Sequence, residues 1–306
     1  MKKKNFEDNS YQTHEKHYLG YYTSDLKKAR ALSWKRTDTV DAWCRQRLIS
    51  SIDPILQGYP SADWLTVGDG RYGSDANYIE SIGGNALATD ISDFLIKEAV
   101  AEGYIRKAQR ENAENLTFDA NSFDFVLCKD SLHHFPRPTL ALHEMLRVAR
   151  TGVILIEPLD DLAEVSVRQI VYRRLKDLFF SAFLKRSPER FQYEEIGNFI
   201  YTVSRREIEK TAVAMNYPLV IFKGVNTYYI EGVEDELLAD NGPLLRRIKF
   251  MLRWRDFLYK LGLKSPGVLV SVIFKAPISE ALKETFERLK YEVRPLPSNP
   301  VLHNEA

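Results

Sequence analysis

The sequence predicts a doubly wound α/β fold with a mostly parallel sheet, and three observations carry that prediction. Short apolar runs at Trp64–Val67, Asn85–Thr89, Phe123–Lys129 and Gly152–Glu157 read as strands. Amphipathic stretches of helical period separate them, which is the rhythm of βαβ units. The first run ends directly in a glycine-rich turn, Gly68-Asp-Gly70-Arg-Tyr-Gly73.

Composition narrows the class. The chain has 306 residues, 44% hydrophobic and 28% charged, which fits a globular protein of one large or two small domains. Formal net charge is +1, so no bulk field points to nucleic acid or to an anionic membrane, although a local basic face can hide in a neutral total. The two cysteines, Cys44 and Cys128, lack metal-ligand spacing and fit a reducing, cytoplasmic compartment. The polar start is not expected to be a secretory signal, and its Lys2–Lys4 run reads as a solvated tail. No apolar run approaches the roughly 20 residues of a membrane helix.

Taken in order, residues 1–60 read as a helical N-terminal segment. Val40, Trp43, Leu48, Ile52 and Leu56 recur at helical spacing. Before them lies a segment rich in Tyr and His, including Tyr11, His14, His17, Tyr18, Tyr21 and Tyr22, which reads as a lid over a ligand or as a surface helix. Residues 61–280 form the main domain. Asn85–Thr89 is followed by a helix over Ile91–Ala101. Phe123–Lys129 is followed by a helix burying Leu142, Met145, Leu146 and Ala149. Gly152–Glu157 is apolar up to its last residue, as a central parallel strand should be. A helical cap insert spans about 158–217, with an amphipathic helix through Val171, Leu175, Leu178, Phe179 and Ala182 and a capping box at Ser204–Glu207. Leu219–Lys223 and Val268–Phe274 read as late strands, with a basic amphipathic helix between them from Leu244 to Leu261. Residues 281–306 read as a C-terminal helix and a frayed tail.

The chemistry concentrates after the first strand. Gly68, Gly70 and Gly73 permit a tight turn and a close backbone approach to a ligand, and the next helix offers free N–H groups. Asp90 ends the second strand 22 positions after Gly68, where a carboxylate can grip ribose hydroxyls. Both nicotinamide-dependent oxidoreductases and S-adenosylmethionine (SAM) enzymes use this first half.

The remaining motifs separate the two. Val67–Gly70, Thr89–Ile91, Glu111–Phe118, Ser122–Leu127, Leu132–Phe135, Glu144–Val148 and Ile154–Glu157 follow one another in the order and spacing of the class I SAM-dependent methyltransferases. Over residues 62–158 the chain resembles that family, in particular the subgroup related to ubiquinone-biosynthesis C-methyltransferases. The resemblance implies a Rossmann-like, seven-stranded sheet whose last strand, near Val268, is antiparallel. It implies SAM as cofactor, with Gly68, Asp69, Gly70 and Gly73 against its methionine part and Asp90 on its ribose. Ile91 would lie on the adenine face, Asn112, Ala113 and Glu114 at the adenine edge, and Lys129 where the fourth strand meets the cofactor. Two positions depart from the family: Thr66 replaces an acid that holds the methionine end, and Tyr72 stands where a third close-spaced glycine is usual. Asp69 or Asp75 would have to replace the missing acid.

Methyl transfer asks for alignment and, with a hydroxyl acceptor, for a base. Asp130, His133, His134, Glu157, Asp160 and Asp161 sit at the ends of strands four and five. His133, His134 and Glu157 are the catalytic candidates, and His133 is preferred. The alternatives are a His pair that only packs and a Glu157 satisfied by backbone N–H groups. No metal is expected. Tyr18, Tyr22, Tyr193, Asn198, Tyr201 and Tyr228 are candidate walls of an acceptor pocket, suited to a small polar acceptor such as a sugar or natural product methylated on O or N. Rival readings are a peptide or protein methyltransferase attracted through Arg168, Arg173, Arg174, Arg205 and Arg206, an NAD-dependent oxidoreductase, and a non-catalytic SAM-binding partner protein. No nucleic-acid or membrane partner is expected, and the oligomeric state is open.

Overall fold

The computed structural model describes residues 10–13, 16, 20, 23–180, 193 and 199–301. Eight strands form one sheet in the order β3-β2-β1-β4-β5-β7-β6-β8. They are β1 (Asp63–Val67), β2 (Asn85–Asp90), β3 (Ala108–Arg110), β4 (Phe123–Lys129), β5 (Ala149–Pro158), β6 (Leu219–Val225), β7 (Val268–Phe274) and β8 (Glu292–Pro295). The first five run parallel, and β7 is antiparallel to both β5 and β6. β5 and β6 therefore point the same way, and both end on the edge where β1, β2 and β4 also end. The antiparallel strand near Val268 is where it was expected.

The seven-strand expectation needs one correction. The tail after the C-terminal helix contributes β8, which pairs antiparallel with β6 from Phe222↔Glu292 to Leu219↔Pro295. The phenol of Tyr291 donates to the Ser51 carbonyl at 2.7 Å and anchors this addition. Ala149, expected on the helix stripe, instead opens β5.

Helices cover both faces: α1 (Asp25–Ser33), α2 (Val40–Ile49), α3 (Asp53–Gly58), α4 (Ser74–Ser81), α5 (Phe94–Ala101), α6 (Pro138–Val148), α7 (Val167–Phe180), α8 (Arg205–Ala214), α9 (Pro243–Lys260) and α10 (Glu280–Arg288). Side-chain caps start several of them: Thr39 Oγ1 accepts the Ala42 N–H at 3.2 Å, and Ser204 Oγ accepts the Glu207 N–H at 3.2 Å. Ile52 and Ile55 are fully buried in the cluster that also holds residues of α4, α5 and α10, so the later part of the N-terminal segment is core rather than cover. α8 packs on β6 and β7, so the end of the 158–217 insert is an ordinary crossover helix.

Phe125 of β4 is the hub of the first cluster. It stacks on Trp64 at 4.9 Å between ring centres and meets Tyr59 edge-on at 5.0 Å and Phe274 edge-on at 6.2 Å. Phe125→Ala removes the shared partner of three rings and is expected to lower stability by about 3–5 kcal/mol, read as a fall in the urea midpoint at constant slope.

Candidate active site

The crevice begins where β1 turns into α4. Gly68 has φ +75°, and a Cβ there would lie 2.5 Å from the Cβ of Ser131, so only glycine lets the β1 and β4 turns meet. Ser131 Oγ donates to the Gly68 carbonyl at 2.7 Å across this contact. Asp69 turns inward and accepts three hydrogen bonds: from Thr66 Oγ1 at 2.8 Å, from the Asp75 N–H at 3.2 Å and from the Ala76 N–H at 2.9 Å. It thereby caps α4, whose N-cap Gly73 has no side chain to do so. Thr66 has become a donor that fixes Asp69 in this role. Burial, with Asp75 alongside, raises the Asp69 carboxyl well above the usual range. Tyr72, in place of the third glycine, adopts φ 59° and buries its ring completely, with Lys35 Nζ 4.5 Å above the ring centre.

The second wall comes from β2 and β3. Asp90 is buried at the end of β2 and accepts the Ser92 N–H at 2.8 Å. Burial pushes its carboxyl up to about 7, while backbone N–H groups of Ser92, Gly70 and Ile91 pull it back. Gly70 thus acts behind the wall, on Asp90. Asn112 Oδ1 accepts the Glu114 N–H at 3.0 Å and shapes the following loop. Glu114 is buried and fully engaged: it accepts the Arg137 N–H at 2.6 Å and Nε–H at 2.8 Å, and also the Tyr11 phenol. This carboxylate joins the helical stretch 10–13 to the start of α6.

The third wall is the β4 turn. Lys129 Nζ lies 3.2 Å from Asp75 and 3.5 Å from Asp130. Burial alone would lower this amine, but the two carboxylates outweigh it and raise its pKa. Glu157, with no exposed surface, ends β5 beneath the turn. Its Oε1 accepts the N–H groups of Ser131 at 2.9 Å and Leu132 at 2.8 Å, and its Oε2 lies 2.7 Å from His133 Nδ1.

Together these walls enclose a cavity of about 280 Å³. Gly68, Asp69, Asp90, Ile91, Asn112, Ala113, Glu114 and Lys129 line it, as does His134. Gly70, Gly73, His133 and Glu157 do not; they stand behind it. The acceptor-wall tyrosines that are described lie elsewhere. Tyr193 is exposed and packs edge-on against Phe199, the Tyr201 phenol donates to Glu207, and Tyr228 lies under Arg255 at 4.7 Å. Tyr18, Tyr22 and Asn198 lie outside the described residues. Asp160 accepts the Leu162 and Ala163 N–H groups in its own loop. Among the described residues there is no cluster of metal-ligating side chains.

Several lining residues escaped sequence reasoning. Arg71 and Trp34 line the cavity, with the guanidinium 5.1 Å from the indole centre. Phe135 lines it from the β4 turn. Arg71 carried one readable signal, its position inside the glycine turn. Trp34 and Phe135 reach the site only through tertiary packing. Tyr11, named in the aromatic segment read as a lid or a surface helix, lines the cavity from the N-terminal side.

The donor set suits a nucleoside with a charged amino-acid tail. A buried carboxylate for a diol, apolar surfaces at Ile91, Ala113 and Phe135, and charges of both signs at Arg71, Lys129, Asp75 and Asp130 share one crevice. No curated protein matches the chain. Among solved structures, a SAM-dependent methyltransferase from Methanosarcina mazei is similar at 18% identity over 72% of this chain and 97% of its own, with a TM-score of 0.44. Magnesium protoporphyrin IX methyltransferase from Synechocystis, with SAH bound, is similar at 13% identity over 87% of this chain and 97% of its own, with a TM-score of 0.43. Residues 65–156 match the family model described as a methyltransferase domain. That segment runs from within β1 into β5 and takes in β2, β4 and the turns that build the crevice, and through it the chain carries a methyltransferase domain.

Proposed function

We propose that this enzyme transfers the methyl group of SAM to an oxygen or nitrogen of a small polar acceptor, such as a sugar or natural product, without a nucleic-acid partner. The observation that carries the reading is Asp90, a buried carboxylate at the end of β2 on the wall of the crevice. The unpaired Cys44 and Cys128 support a reducing, cytoplasmic setting.

When bound, SAM supplies an electrophilic methyl group, so the chain has to supply position and, for a hydroxyl acceptor, a proton acceptor. Asp90 accepts the ribose hydroxyls. Ile91 and Ala113 flank the base. Arg71 and Lys129 meet the carboxylate of the methionine end, and Asp75 and Asp130 its ammonium. Asp69 leaves that task to them because its lone pairs already hold α4 and Thr66.

Of the two histidines, His134 is the better placed base, because it lines the crevice. His133 is turned to Glu157 and positions the turn. An amine acceptor that arrives neutral needs no base, so the two acceptor classes differ in their demand on His134.

Hydroxyl donors bind the ionised form of Asp90, and a proof of its role lies in pH: as pH falls from about 7 to 5, protonation of a group with pKa about 7 should weaken SAM binding roughly tenfold per unit. Asp90→Asn should lose about 10–100-fold in affinity at pH 8 and flatten that slope. Isothermal titration across pH checks both, and a wild-type slope retained in the variant rejects the assignment. For a hydroxyl acceptor, His134→Ala should lower kcat by about 10²–10⁴ with the SAM Kd nearly unchanged. Labelled-methyl transfer to a panel of sugars and amines, with the products identified as O- or N-methylated, tests the acceptor class. Labelling confined to peptides would reject it.

A further inference from the structure

Val225, the last residue of β6, pairs with Val268, the first of β7, and Val268 also faces Pro158 at the end of β5. The excursion from Asn226 to Gly267 therefore leaves and re-enters the sheet on the edge where the crevice opens. Its main element is α9. The inner side of α9 is ordinary core: Leu245, Ile248 and Leu252 are buried with Val40 and Val233.

The outer side is not ordinary. Phe250, Trp254, Phe257 and Leu261 are 66%, 48%, 51% and 43% exposed. At about 100° per residue they fall within an arc of roughly 60°. Trp254 and Phe257 stack at 5.8 Å, which gives the strip a broad aromatic centre. Exposed Arg246, Arg253 and Lys260 flank it on one side and exposed Arg247 on the other. The only acid in α9, Asp256, is half-buried and accepts the Asn226 amide at 2.8 Å. Glu236, at the start of α9, is occupied with the N–H groups of Leu244 and Leu245.

A second helix continues the pattern. α7 follows β5 off the same edge, and its start abuts the end of α9: Gln169 Nε2 donates to Ser265 Oγ at 3.0 Å, and Ser166 Oγ to the Gly262 carbonyl at 3.2 Å. Val167, Ile170, Val171 and Leu175 on α7 are exposed, beside exposed Arg168 and Arg174.

An apolar strip rimmed by cations on both sides matches a bilayer surface, with side chains entering the headgroup–acyl boundary and cations resting on anionic phosphates. Nucleic acid would meet four apolar groups where its phosphates need charge. A second copy related by a two-fold axis would bring the basic rims against their own images. We propose that the outer face of α9, continued by α7, docks the enzyme peripherally on an anionic phospholipid bilayer. This docking is independent of the acceptor reading and uses no spanning segment; no described helix is long and apolar enough to cross a membrane.

The test is co-sedimentation of the full chain with vesicles of phosphatidylcholine alone or mixed with phosphatidylglycerol. Binding should be at least about tenfold tighter to the mixed vesicles, should weaken with added salt, and should shift Trp254 emission to the blue. Trp254→Ser with Phe257→Ser should lose at least about tenfold in vesicle affinity while circular dichroism and SAM binding stay unchanged. Arg246→Glu with Arg253→Glu, which leaves the strip intact, should abolish the preference for the anionic vesicles. No vesicle binding, equal binding to both compositions, indifference to either double variant, or a dimer that the Trp254→Ser, Phe257→Ser variant dissolves would overturn the proposal.

Discussion

The crevice depends on one buried carboxylate. Glu157 sits at the end of β5 with no exposed surface, and a lone charge there would be prohibitive to bury. It is tolerated because the β4 turn delivers the N–H groups of Ser131 and Leu132 and the ring of His133 to its two oxygens. That convergence fixes the path of the turn. The turn then carries Ser131 Oγ to the Gly68 carbonyl, so β5, β4 and β1 are tied in series at their C-terminal ends. The close meeting of Gly68 with Ser131 follows from that tie. Asp90 at the end of β2 and the loop after β3 complete the enclosure.

Much of this was legible in the chain. β1, β4, β5 and β7 announce themselves because strands buried on both faces must be apolar along their length. The glycine turn was legible because a tight turn needs φ > 0, and Asp90 because an acid closing the second apolar run stands out at a strand end. β3 was illegible: Ala108-Gln-Arg110 is short, polar and at the sheet margin, and only pairing with β2 makes it a strand. Glu292-Val-Arg-Pro295 escaped for the same reason at the opposite margin. Which of two adjacent histidines faces the crevice was equally hidden. In a one-turn 3-10 segment the direction of each ring is set by its partner, and the partner, Glu157, lies 24 residues from His133. Trp34 reaches the wall through packing that no local pattern encodes.

The two departures from the family pattern resolve into one arrangement. With Thr66 in place of an acid, Asp69 receives a hydroxyl donor and serves as the cap of α4. Asp75 and Lys129 stand beside it as a buried pair 3.2 Å apart on the same wall. Tyr72 pays for its positive φ by filling the core beneath the turn. Three carboxylates crowd this small volume, and burial raises Asp69, Asp75 and Asp90 together.

The late half of the chain is organised by the same edge. β5 and β6 both end beside the crevice, so any segment inserted after either must stand on the ligand-facing rim. The sequence spends both insertions on helices, and α7 and α9 both keep apolar groups on the outside. Exposed aromatic surface is disfavoured in water and persists where something else covers it. On α9 the cover must also accept cations on both flanks, a requirement the net charge of +1 conceals because the balancing acids lie elsewhere in the chain. A bilayer surface meets both demands at once.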